Sequence, residues 1–181
     1  MGKYAVILFF IWIVGTIYAF WQFQFKNMGM FIKNGEYRED KMMEELKKDF
    51  AVHRRQLYAA TIYHILEDDC SCTKNTMKHL ESIKTQYGEQ NVRNVRILQA
   101  SDVDLSIINR DVIMASIPAT PAVAILNGKG DLAYFGPYSS SMVCGTTGES
   151  YIEIILNALL SSGYIRVINL LEFGCYCPAK F

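Results

Sequence analysis

Apolar residues run unbroken at one end of this chain and fall into helical and strand periods over the rest. Tyr4 to Phe23 (YAVILFFIWIVGTIYAFWQF) is 20 residues without a charge, about 30 Å as a helix, the thickness of a bilayer core. Tyr4, Tyr18 and Trp21 lie near its ends, where aromatic belts form. A cleaved signal peptide has a shorter apolar region and a small-x-small site, which Ala19-Phe20-Trp21-Gln22 does not supply. The run predicts one uncleaved N-terminal transmembrane helix, a signal anchor over residues 1–25, followed by a juxtamembrane linker over 26–38. From Glu39 to His53 the period becomes helical: Met42, Met43, Leu46, Phe50 and Val52 recur at three- and four-residue steps between charges. Residues 59–66 predict a buried strand, and Thr73 to Tyr87 a helix with Met77, Leu80, Ile83 and Tyr87 on one face and Gly88 at its end.

Asn91 to Gln99 predicts a second strand, and Ser101-Asp102 predicts the cap of a short helix carrying Leu105, Ile107, Ile108, Val112 and Ile113. Pro121 stands before the apolar run Ala122 to Leu126, a place where a strand accepts proline because its first residue need not donate. Asn127-Gly128-Lys129-Gly130 is a turn signal, and Asp131 to Phe135 is the returning strand of an antiparallel hairpin. Residues 138–148 read as a polar loop, and Glu149 to Leu160 as a helix closed by Ser161-Ser162-Gly163. Strands joined through helices imply parallel neighbours, and the hairpin adds an antiparallel pair. The expected fold is α/β, a mixed sheet flanked by helices over 39–163. Residues 164–181 form a C-terminal extension.

The 18 basic and 18 acidic residues cancel, so no nucleic-acid partner is expected. No Ser-His-Asp spacing, phosphate loop, His-Glu-x-x-His or dinucleotide glycine motif is present, which leaves hydrolase and nucleotide-binding readings without support. Hydrophobic residues make up 51% of the chain, much of the excess in the N-terminal run.

The chemistry lies in the cysteines. Cys70-Ser71-Cys72 sits where the first strand meets a helix start, where unpaired backbone N–H groups favour thiolate. A second pair, Cys175-Tyr176-Cys177, lies in the tail, and Cys144 is left over. A Cys-x-Cys disulfide closes a smaller ring than Cys-x-x-Cys, and a strained bridge is more oxidising. Glu67, Asp68 and Asp69 work against this by raising a thiol pKa, or they cap the helix. Four thiolates, Cys70, Cys72, Cys175 and Cys177, also form a donor set for zinc, or with Met142 for copper(I). A third arrangement joins the pairs, the tail dithiol exchanging disulfides with Cys70 and Cys72. Cys144 is then free or bonded to a tail cysteine. His64 and His79 read as ordinary core and surface histidines, and Met42-Met43 as core. Paired cysteines suit an oxidising compartment.

Paired cysteines after the first long strand, with Thr120-Pro121 opening the strand before a hairpin, resemble the thioredoxin-like fold family over about residues 39–161. The resemblance implies a cis Pro121 beside the active-site cysteines, Cys70 as the attacking thiol and Cys72 as the resolving one. It departs from the family pattern in having one residue between the cysteines and Asp69 before the first. The implied activity is that of a thiol–disulfide oxidoreductase or isomerase acting on protein thiols or disulfides, without a cofactor. With the anchor, the arrangement resembles the membrane-tethered thioredoxin-like proteins of bacterial envelopes. That implies a single pass through the inner membrane with the domain in the periplasm. The alternatives are a metal-binding module holding zinc or copper, or an envelope assembly module, on the same fold.

Overall fold

A computed structural model of the chain describes residues 2–22, 28–32, 36–53, 58–97, 107–140 and 150–179. Its centre is a five-stranded mixed sheet, in the order β3 (Val92–Ile97), β2 (Ala60–Ile65), β5 (Ala122–Asn127), β6 (Leu132–Gly136) and β7 (Val167–Ile168). β2 runs parallel to β3 on one side and antiparallel to β5 on the other. β5 turns back into β6, the expected hairpin, and β7 adds in parallel to β6. Gly130 has φ +86° in the hairpin turn, a left-handed angle that favours glycine.

All six positions of β2 are buried, so this strand has protein on both faces. Alternation divides its side chains between two cores. Tyr63 and Ile65 face Met42, Met43 and Leu46 of α2 (Glu39–His53) and Ile113 and Met114 of α4 (Arg110–Met114). Ala60, Ile62 and Leu66 face Leu80, Ile83 and Tyr87 of α3 (Thr73–Tyr87) and Ile152, Ile155, Leu156 and Leu159 of α5 (Tyr151–Ser162). Each Leu, Ile or Met among these taken from water contributes about 1.5–3 kcal/mol. The layers are helix, sheet, helix.

Several sequence expectations shift. On α2 the stripe runs Met42, Leu46, Asp49, with Phe50 half-buried, while Val52 points outward. α3 ends at Tyr87 with Gly88 as its cap, as expected, although Gly88 keeps a right-handed backbone there. A single 3-10 turn, Gly88–Gln90, follows, and Asn91 turns the chain at φ 61°. α4 starts at Arg110, so Ile107 and Ile108 lie before it, and the expected cap Ser101-Asp102, with Leu105, lies outside the described residues. Its cap is Asn109, whose side-chain oxygen accepts from the backbone N–H of Asp111 (3.1 Å) and Val112 (3.3 Å). The backbone N–H of Asn109 donates to Glu45 Oε2 at 2.8 Å, which fixes α4 against α2. Ser150 caps α5, and Gly163, at φ 74°, closes it as expected.

The expected linker contains a strand. β1 (Met28–Met30) pairs antiparallel with β8 (Phe173–Cys175) of the tail. The expected extension likewise supplies β7, β8 and β9 (Cys177–Pro178). At the N-terminus, α1 covers Gly2–Phe20, with π-turn geometry at Trp21 and Gln22. Its charge-free part begins at Tyr4, so the apolar helix is shorter than the expected 20 residues. Among the described residues, no helix is long and apolar enough to cross a membrane.

His64 shows how polar groups enter the core. It is fully buried, its Nδ1 2.7 Å from Tyr138 Oη and its Nε2 2.9 Å from Asn94 Oδ1. Burial lowers its pKa to about 4, with the Asn94 contact pulling the other way. The unfolded chain therefore takes up a proton near pH 6.5 that the folded chain refuses until about pH 4. Stability is expected to fall as pH drops through that window, by up to about 3 kcal/mol. Urea midpoints at pH 7 and pH 4.5 measure this, and the drop should flatten in His64→Gln.

Candidate functional site

β2 ends at Ile65, and its last turns of chain lead into the cysteine loop. Leu66 and Glu67 are buried, Asp68 and Asp69 are exposed, and Cys70 is again buried. The loop is held by short bonds to one carbonyl: the Cys70 N–H (3.2 Å) and the Thr73 hydroxyl (2.7 Å) both donate to the Glu67 carbonyl oxygen. Cys72 takes the N-cap position of α3 with no side-chain cap bond, so none of the three acidic residues caps this helix. Glu67 points inward, where its Oε2 accepts the Thr120 hydroxyl at 3.2 Å.

Thr120 belongs to β4 (Ala119–Thr120), and the Thr120-Pro121 peptide bond is cis. Cys70 Sγ lies 3.8 Å from the Thr120 carbonyl oxygen. The strand–loop–helix unit and the proline turn thus bring together Cys70, Cys72 and Pro121, the three residues expected at the site.

The tail completes the arrangement. β9 pairs antiparallel with β4, Thr120 opposite Cys177 and Ala119 opposite Pro178. Cys70 is bonded to Cys177 and Cys72 to Cys175, with Cα separations of 5.9 and 6.3 Å, inside the range such bridges require. Of the arrangements open in the sequence, the two Cys-x-Cys pairs are therefore joined to each other, and neither closes on itself. The four cysteines form one buried cluster. Cys144 and Met142 lie outside the described residues. In this disulfide-bonded form, no group of three or more His, Cys, Asp or Glu among the described residues is placed to hold a metal ion.

Tyr176, between the tail cysteines, packs edge-on to Phe31 with ring centroids 5.1 Å apart. Phe31 in turn donates its backbone N–H to the Glu172 carbonyl at 2.8 Å. His79 is remote in role: its Nε2 lies 3.1 Å from the hydroxyl of Ser150, the cap of α5. Sequence reasoning missed the β1–β8 and β4–β9 ladders, because strands of two or three residues carry no period to detect. It also missed Asp49, although position 49 falls on the apolar stripe of α2 at the seventh residue after Met42. That spacing was the available signal.

Residues 39–179 match the family described as Domain of unknown function (DUF6436), and the chain belongs to it. No curated protein matches the chain. Among solved structures, a hypothetical protein from Sinorhizobium meliloti 1021 is similar at 11% identity and TM-score 0.52. That match covers 72% of this chain and 84% of the other. An uncharacterized conserved protein from Geobacillus kaustophilus matches at 17% identity and TM-score 0.48, over 68% of this chain and 77% of its own. At these identities the likeness concerns the fold alone.

Proposed function

We propose that this protein is a membrane-anchored, thioredoxin-like thiol–disulfide oxidoreductase or isomerase acting outside the cytoplasm. One observation carries the reading: Cys70, at the loop before a helix start and beside the cis Thr120-Pro121 bond, is already in disulfide linkage with a strand laid along β4. The sheet order and the parallel β2–β3 pair followed by the β5–β6 hairpin agree with the resemblance seen in the sequence. In the reaction, a thiolate of a substrate dithiol attacks one sulfur of a bridge and the other sulfur leaves as thiolate. The second substrate thiol then closes the substrate's disulfide. Two electrons and two protons pass to the protein.

For the anchor, the support is α1 itself. Tyr4, Phe10 and Trp12 stand 77%, 61% and 65% exposed, and a helix apolar all round is one that protein or lipid covers. In the sequence the charge-free run continues past α1 to Phe23, 20 residues in all, within the ~17–25 that span a bilayer. The proposed place is a bacterial inner membrane with the domain on the periplasmic side.

The test is exchange between the oxidised protein and a dithiol peptide, followed by thiol release. Cys70→Ser is expected to lower the rate at least ~100-fold, since a hydroxyl forms no disulfide, and Cys177→Ser, which removes the bonded partner of Cys70, to hold a mixed disulfide on Cys70 when given a peptide whose cysteine is activated as a disulfide. Failure of the wild-type chain to exchange would sink the reading. The clustering of four sulfurs supports a second reading: once both bridges are reduced, Cys70, Cys72, Cys175 and Cys177 are a donor set for zinc or copper(I). Stoichiometric metal under reducing conditions, lost in Cys175→Ser, would favour it.

A further inference from the structure

We propose that the tail segment Phe173–Pro178 is a reducible cover over a strand-docking edge, and that the partner taking its place is an extended polypeptide carrying a cysteine. The inference rests on the oxidoreductase reading and names its partner class. Three observations carry it. First, the tail stands in the way of its own site: Cys175, Tyr176 and Cys177 are 8–9% exposed and lie over Cys70 and Cys72, at 2% and 6%. A second polypeptide cannot reach those sulfurs as a strand while β9 holds β4.

Second, the backbone ladders that hold the tail are short. The β4–β9 ladder has two residue pairs and the β1–β8 ladder three. Isolated two-stranded ladders are marginal in water. Third, closure carries a penalty. The Tyr176 hydroxyl is buried with no hydrogen-bond partner among the described residues, so closure forfeits the bonds it makes in water. The bridges therefore provide most of the closure, and the cover is set by redox state.

Opening requires a dithiol reductant twice. Each time a reductant thiolate attacks one sulfur of a bridge, the other sulfur leaves and takes a proton, and the reductant closes its own disulfide. Four electrons and four protons enter in all. The freed edge at Ala119–Thr120 then presents unpaired backbone groups beside the Cys70 thiol. An added strand satisfies those groups, and its cysteine occupies the position Cys177 holds opposite Thr120.

Two measurements test this on the full-length chain carrying Cys144→Ser. In the first, the oxidised protein is titrated with dithiothreitol and hydrogen exchange is followed over 117–121 and 173–178. Exchange in both segments should rise together, at least ~10-fold, once both bridges are open. Protection that persists after all four thiols have formed would overturn the cover. The second uses Cys72→Ser/Cys175→Ser/Cys177→Ser, which keeps Cys70 and removes both ties. The probe is a synthetic hexapeptide of residues 173–178 with Cys175→Ser, its remaining cysteine activated as a thionitrobenzoate disulfide. Cys70 should react with it at least ~10-fold faster than with thionitrobenzoate-activated cysteine alone. Equal rates would overturn the docking edge. No reaction with either probe would overturn the oxidoreductase reading itself, while loss of exchange protection in the first measurement would still establish the reducible cover.

Discussion

Opening both disulfides is expected to destabilise the domain by about 7 kcal/mol, whereas losing either one alone should cost only about 2 kcal/mol. The reason is that the bridges share one loop. Cys70–Cys177 and Cys72–Cys175 span 107 and 103 residues, and a loop of about 100 residues is worth roughly 4.7 kcal/mol in the chain-entropy account. Once either bridge is closed, the other adds only a ring of a handful of residues through Ser71 and Tyr176, worth about 2 kcal/mol by the same relation. Urea unfolding followed by circular dichroism measures it, comparing wild type with and without reductant, Cys175→Ser and Cys177→Ser. Single variants as unstable as the fully reduced protein would contradict the shared loop. Set against an ordinary total of ~5–15 kcal/mol, the full loss leaves a domain whose stability depends on its surroundings.

Asp49→Ala is expected to cost about 3–5 kcal/mol, because it strands its partners rather than removing a contact. Asp49 is 1% exposed on the core face of α2. Arg93 on β3 grips it with both guanidinium nitrogens, the Tyr63 hydroxyl donates to it at 2.8 Å, and His53 Nδ1 lies 3.2 Å away. Burial alone would raise the pKa of this carboxyl, but the hydrogen bonds from Arg93 and Tyr63 and the Arg93 charge hold it below the usual range. With a depressed folded pKa, the contribution is present above about pH 4 and fades as pH falls through the lower folded value. Replacing Asp49 by Ala leaves the Arg93 charge partly buried and the Tyr63 hydroxyl without its acceptor. Pairing Asp49→Ala with Arg93→Met should recover part of the loss, since the charge then goes too. Denaturant midpoints for the two single variants and the double variant close the cycle. A cost below ~1 kcal/mol for Asp49→Ala would place this pair among ordinary surface pairs.

The elements that sequence reasoning located are the ones with room to show a period. β2, β3, the β5–β6 hairpin, α2, α3 and α5 are each long enough for alternation or a helical stripe to emerge from Val, Ile, Leu and Met. Pro121 could be placed because a residue without an N–H has few positions in a sheet. Cys70 and Cys72 could be placed because a strand, a polar loop and a helix start meet there. What escaped was non-local or short. Neither Met28–Met30 nor Cys177–Pro178 is long enough to have a pattern, and each becomes a strand only because a partner lies beside it. The pairing of Cys70 with Cys177, and of Cys72 with Cys175, depends on how the tail returns across β4. Chain order says nothing about that return. Asn109 as the cap of α4 is not legible in the sequence because several polar residues lie near that helix start and only the backbone decides which of them caps it.

The bridge between Cys72 and Cys175 makes everything between those residues a closed covalent circle. A protease that cuts once anywhere inside it changes the connectivity of the chain but not its mass beyond one added water. The two resulting ends stay in one molecule, able to lie in their former places and to be rejoined by packing alone. Such a circle postpones the consequence of a first cut until the sulfurs are reduced.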